Sequence, residues 1–126
     1  SYANFEYKNL KVEGKGTDYK VSFTIKNTSS VDAHEVCQLY VKDVFASVSR
    51  PEKELKGFKK VYLKAGEEKT VEITLDESAF AFYSTIYKKW HVENGDFEIL
   101  VGSSSKDIRL VEKLKIELCE LEQYSY

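Results

Sequence analysis

The sequence predicts an all-β sandwich or barrel of about seven strands, and three observations lead there. Apolar residues alternate with period two in repeated short runs. Gly, Asn, Asp and Ser cluster between the runs. Nine Tyr and seven Phe, with many Val and Ile, stand against no Met and a single Pro. Alternation puts apolar side chains on one face of a strand, and β-branched and aromatic residues suit a pleated surface. The 126 residues match the size of one domain, 1–126, with one core.

The elements follow in chain order. Phe5, Tyr7, Leu10 and Val12 predict a first strand with a break in phase. Gly14-Lys15-Gly16-Thr17-Asp18 is a hairpin turn; as a phosphate loop it lacks both a third glycine and a following helix. Val21, Phe23 and Ile25 predict the second strand, and Asn27-Thr28-Ser29-Ser30 the turn after it. Cys37, Leu39 and Val41 predict the third. In 53–64 the phase slips at Gly57: Leu55, Val61 and Leu63 fall on one parity, Phe58 and Tyr62 on the other. A glycine at such a slip marks a bulge. After Ala65-Gly66-Glu67, residues Val71, Ile73 and Leu75 predict a fifth strand, and Asp76 caps one helical turn over 77–80. Phe97, Ile99 and Val101, preceded by the turn Asn94-Gly95-Asp96, predict the next strand. Beyond Gly102-Ser103-Ser104-Ser105, residues Ile108, Leu110, Leu114 and Ile116 predict the last.

Function classes fall away on composition and spacing. With 19 basic and 21 acidic residues interspersed, no one-signed field draws the chain to nucleic acid or an anionic membrane. No apolar run reaches the roughly 20 residues of a membrane span, and the N-terminus lacks the pattern of a signal peptide. Cys37 and Cys119 lack metal-ligand spacing and are expected as reduced thiols, which leans towards the cytoplasm without assigning a compartment. His34 and His91 lie in no nucleophile or metal motif. Carboxylates at turns or alternating with Lys, such as Glu52, Glu54, Glu67 and Glu68, form a solvated face. No catalytic residue, metal ligand or cofactor site is expected. Trp90 is expected as the core tryptophan of a sandwich; the alternative is a sugar-stacking platform with Tyr87, Tyr83 and Phe82.

From residue 38 onwards longer motifs accumulate: Gln38-Leu39-Tyr40-Val41-Lys42-Asp43, Ser47-Val48-Ser49-Arg50-Pro51 and Lys53-Glu54-Leu55-Lys56-Gly57-Phe58. Trp90-x-Val92-Glu93-x-Gly95-x-Phe97-Glu98 and Val101-Gly102-Ser103-Ser104-Ser105-x-Asp107-Ile108 continue them. In order and spacing they resemble the C-terminal fibronectin type III-like domain of family 3 glycoside hydrolases, nearly end to end. Ser1-Tyr2-x-x-Phe5-x-Tyr7 resembles the segment by which such enzymes leave their second catalytic domain.

The resemblance implies an immunoglobulin-like sandwich behind a TIM-like barrel that supplies an aspartate nucleophile and an α/β domain that often supplies a glutamate acid/base. The parent it implies is a retaining exo-acting glycosidase, a β-glucosidase before a β-xylosidase, with both carboxylates outside these residues. This chain is then an accessory domain that stabilises and docks against the catalytic domains. Phe45, Val48, Arg50 and Pro51 are the expected docking residues, Arg50 because its guanidinium forks onto a carboxylate or carbonyl. The rival is a carbohydrate-binding module using Tyr87 and Trp90. A free-standing immunoglobulin-like adhesion domain fits less well, because no Cys…Trp…Cys arrangement is present.

Overall fold

The computed structural model describes residues 3–44 and 53–118. Its strands are β1 (Phe5–Lys15), β2 (Asp18–Asn27), β3 (Ala33–Asp43), β4 (Glu54–Leu63), β5 (Glu68–Leu75), β6 (Phe82–Ser84), β7 (Lys89–His91), β8 (Gly95–Ser104) and β9 (Asp107–Ile116). A three-stranded sheet, β1-β2-β5, packs on a four-stranded sheet, β4-β3-β8-β9. Every pairing is antiparallel. Seven strands thus build the sandwich, as the alternation predicts. The count rises to nine because β6 and β7 form a separate two-stranded ribbon, each three residues long and too short to show a period.

The core is the set of inward residues the alternation marks. Val21, Phe23 and Ile25 with Val71, Ile73 and Leu75 face Cys37, Leu39 and Val41 with Phe97, Ile99 and Val101. Phe80 joins them by edge-on contacts with Tyr19 and Phe97, at 6.0 and 5.2 Å between centroids. It enters through a 3-10 turn (Glu77–Ala79) whose N-cap, Asp76, accepts from the Ser78 amide.

Both phase breaks are bulges. The β1–β2 register shifts between Lys8 and Lys11, where Asn9 takes φ 59°. The β3–β4 register shifts between Leu39 and Tyr40, where Gly57 faces Leu39 and Leu55 faces Tyr40. Gly57 points into the sandwich: a Cβ there would lie 2.9 Å from Ile73 Cγ2 on β5. The bulge turns both Leu55 and Phe58 outward, three positions apart. Gly95, expected in a turn, is instead the first residue of β8, while Asn94 accepts from the Leu118 amide at 2.7 Å.

Candidate functional site

The anticipated docking residues Phe45, Val48, Arg50 and Pro51, and Cys119, lie outside the described residues. Tyr87 and Trp90 lie on the ribbon, which leaves the sandwich between β5 and β8.

Register decides where Trp90 points. Tyr83 pairs with Trp90, while its neighbours Phe82 and Ser84 are buried. Successive side chains of a strand point to opposite faces, so Tyr83 and its partner Trp90 point outward. Trp90 is 53 % exposed, which corrects the expectation of a core tryptophan. Phe80 and Val92, on either side of it in the chain, belong to the core cluster instead. That parity becomes visible only once the β6–β7 pairing is known.

The ribbon's turn is held by Ser84 Oγ, which accepts from the Tyr87 amide at 3.2 Å, and by Lys88 at φ 53°. It presents Tyr83, Ile86, Tyr87 and Trp90, with Tyr87 63 % exposed. Tyr83 and Trp90 meet edge to face, 5.8 Å apart and 77° between planes. Tyr87 is inclined at 33° to His91, 6.1 Å away. The rings form an exposed apolar ridge of crossed planes.

Chemistry elsewhere is sparse. A groove of about 450 Å³ beside the β1–β2 hairpin is lined by Lys15, Asp18, Glu77, Val92, Glu117 and Leu118. Its carboxylates are exposed and it carries no aromatic ring on which a pyranose could stack. A general acid for glycoside cleavage needs a raised pKa. Asp76 and Asp107 are displaced the other way, Asp76 by hydrogen bonds from Ser78 and Asp107 to about 2 by those from Arg109 and Ser103. His34 packs tilted against Tyr62 and His91 lies edge-on to Phe82. Among the described residues, no group of three His, Cys, Asp or Glu is placed to hold a metal.

The fibronectin type III-like domain model matches residues 35–105, from within β3 to the turn after β8. The chain belongs to the fibronectin type III-like domain family. Thermostable beta-glucosidase B of Acetivibrio thermocellus is 52 % identical over 120 residues, covering 92 % of this chain and 16 % of that protein. The exo-alpha-(1->6)-L-arabinopyranosidase of Bifidobacterium breve is 53 % identical over 109 residues, covering 86 % of this chain and 14 % of that one. Among solved structures, the GH3 beta-glucosidase of Bifidobacterium adolescentis superposes with a TM-score of 0.88 at 44 % identity, over 91 % of this chain and 17 % of that chain. The fibronectin type III-like domain therefore spans about a sixth of the length of the relatives it matches. Two of these relatives bear names of different glycosidase activities, although each is more than half identical to this chain over the matched stretch.

Proposed function

We infer that this fibronectin type III-like domain is a non-catalytic part of a retaining family 3 glycoside hydrolase, β-glucosidase-like in activity, and that it stabilises the catalytic domains by packing against them. One observation carries the reading: identity of 52 % runs over nearly all of this chain but only 16 % of a β-glucosidase. The domain has its own core, and an interdomain contact of roughly 600–1,500 Å² adds stability and limits relative motion. Phe45, Val48, Arg50 and Pro51 are proposed as docking residues. The test is hydrolysis of aryl β-glucosides and β-xylosides. The parent turns over and the isolated domain does not at any pH, because a retaining mechanism needs two positioned carboxylates. Turnover by the isolated domain would overturn the reading.

The exposure of Trp90 and Tyr87 favours a second reading, a carbohydrate-binding surface on the ribbon. Trp90 is the sole tryptophan, so its fluorescence reports on the ridge. A saturable change on titration with cellobiose, xylo-oligosaccharides or cellulose supports sugar binding. An unchanged spectrum with all three eliminates it.

A further inference from the structure

The outer face of the four-stranded sheet carries an apolar row that the sandwich itself does not use. Tyr40 pairs with Leu55 on one side and Leu100 on the other, and Leu100 pairs with Val111. The row Leu55–Tyr40–Leu100–Val111 therefore crosses all four strands in register. Its parity is opposite to that of the core residues Leu39, Val41, Ile99 and Val101, and neither Tyr40 nor Leu100 belongs to the core cluster. Tyr40 and Leu100 are buried in the middle of the face, whereas Leu55 and Val111 are exposed at its margins. The bulge at Gly57 adds Phe58, 67 % exposed, beside the row. Solvated sheet faces ordinarily alternate polar side chains outward, whereas Leu55, Phe58 and Val111 leave apolar surface exposed on this one, and exposed apolar surface of this kind marks an interaction site.

We propose that this face, which presents Leu55 and Phe58 at one margin and Val111 at the other, is the surface on which the catalytic part of the same polypeptide packs. The inference rests on the reading of this chain as one domain of a longer glycosidase. Size selects the occupant. Four strands about 4.8 Å apart and roughly eight residues at about 3.3 Å give a face of about 500 Å². Covered by a partner, it buries about 1,000 Å² in total, within the range for domains of one chain and below the roughly 1,600 Å² usual for independent proteins. A tether supplies millimolar effective concentration, so a modest face suffices for a partner on the same chain. The relatives, of which this domain covers 14–17 %, hold such a partner in the rest of their length. Lys60 beside Val36 and Lys42 and Lys113 on either side of Glu98 edge the face, so the partner surface is apolar with polar groups of both signs at its rim.

The test is thiol alkylation in the full-length parent with cysteine introduced at single positions. Phe58→Cys and Val111→Cys probe the face, Ile86→Cys probes the ribbon, and Lys20→Cys, exposed on the other sheet, sets the reference rate. Glycosidase activity of each variant confirms a folded enzyme and tests the parent assignment separately. Alkylation at Phe58→Cys and Val111→Cys should be at least about tenfold slower than at Lys20→Cys, and should reach the same rate after unfolding. In an active enzyme, equal rates at the face and at Lys20→Cys, or protection confined to Ile86→Cys, overturn the inference. Absence of glycosidase activity in the unmodified parent sinks the parent assignment instead.

Discussion

The side-chain amide of Asn27, at the end of β2, donates at 3.2 Å to the carbonyl of Leu63, the last residue of β4, and so ties one sheet of the sandwich to the other. The same nitrogen donates to Val31 O at 2.7 Å, and Oδ1 accepts from the Ser29 amide at 3.0 Å. The Asn27 backbone completes the joint: its N–H donates to Glu67 O and its carbonyl accepts from Gly66 N–H, both at 2.9 Å. Gly66 holds φ 77° to make that approach. Asn27 is fully buried, and so is its bond to Leu63 O, so that carbonyl has no water to turn to.

Asn27→Ala should therefore leave the buried Leu63 carbonyl without its donor and cost about 1–3 kcal/mol, lowering the melting temperature by about 5–10 °C. Thermal unfolding followed by circular dichroism measures it. A change under about 0.5 kcal/mol, the scale of an ordinary surface substitution, would show that the joint is not structural.

Gly57→Ala should destabilise by about 1–3 kcal/mol, since the added methyl meets Ile73 Cγ2 at 2.9 Å and forces the sheets apart. Ile73→Leu removes that Cγ2 methyl. In a double-mutant cycle the pair should cost less than the sum of the two single losses. Strict additivity would mean that the two positions do not touch.

At the open side of the sandwich Arg109 on β9 grips Asp107 through Nε at 2.8 Å and Nη2 at 3.0 Å. Its Nη1 reaches Phe5 O on β1 at 2.8 Å, and its guanidinium lies 5.3 Å from the centre of the Tyr7 ring. Asp107 is held at about 2, below the usual value near 3.9 for an unfolded Asp. Between those values the unfolded chain binds the proton and the folded one does not, so this contribution to stability is complete above about pH 4 and is lost as pH falls towards 2. Asp107→Asn should lower the urea midpoint at pH 7, and the gap to wild type should close by about pH 2. A gap of constant size across that range would remove Asp107 from the account.

Cys37 should be inert in the native protein. It is fully buried, and burial pushes its thiol up to about 11, so thiolate at pH 8 is scarce as well as inaccessible. Alkylation should occur only on unfolding. Rapid labelling of the folded chain would contradict the packing of Cys37 beneath Tyr7.

Much of this was legible in the sequence for a physical reason: burial on one face writes a period of two. The sets at Val21, Cys37, Val71 and Phe97 are the observed core, and the phase breaks near Leu10 and at Gly57 are the observed bulges. The turn at Asp76 is capped as its side chain requires. What alternation misses is pairing. Trp90 resembles a core residue until its partner Tyr83 is known to point outward. The outer row is hidden because Leu55, Tyr40, Leu100 and Val111 come from four separate strands and become neighbours only through register. Asn27 reads as a turn residue, since nothing local reveals that its amide reaches 36 positions along the chain.

The isolated domain should unfold cooperatively as a β-rich monomer, because alternation, turns and core agree on one state. Multiple transitions, or a helical spectrum, would contradict the fold.

The central claim is that the domain serves a larger glycosidase by docking. A pair of melting curves for Phe45→Ala with Arg50→Ala, one in the full-length enzyme and one in the isolated domain, tests it most directly. A docking segment contributes across the contact and little within the sandwich. The account predicts a lower melting temperature or looser docking in the full-length enzyme and a nearly unchanged curve for the isolated domain. Equal losses in both, or no change in either, would contradict it.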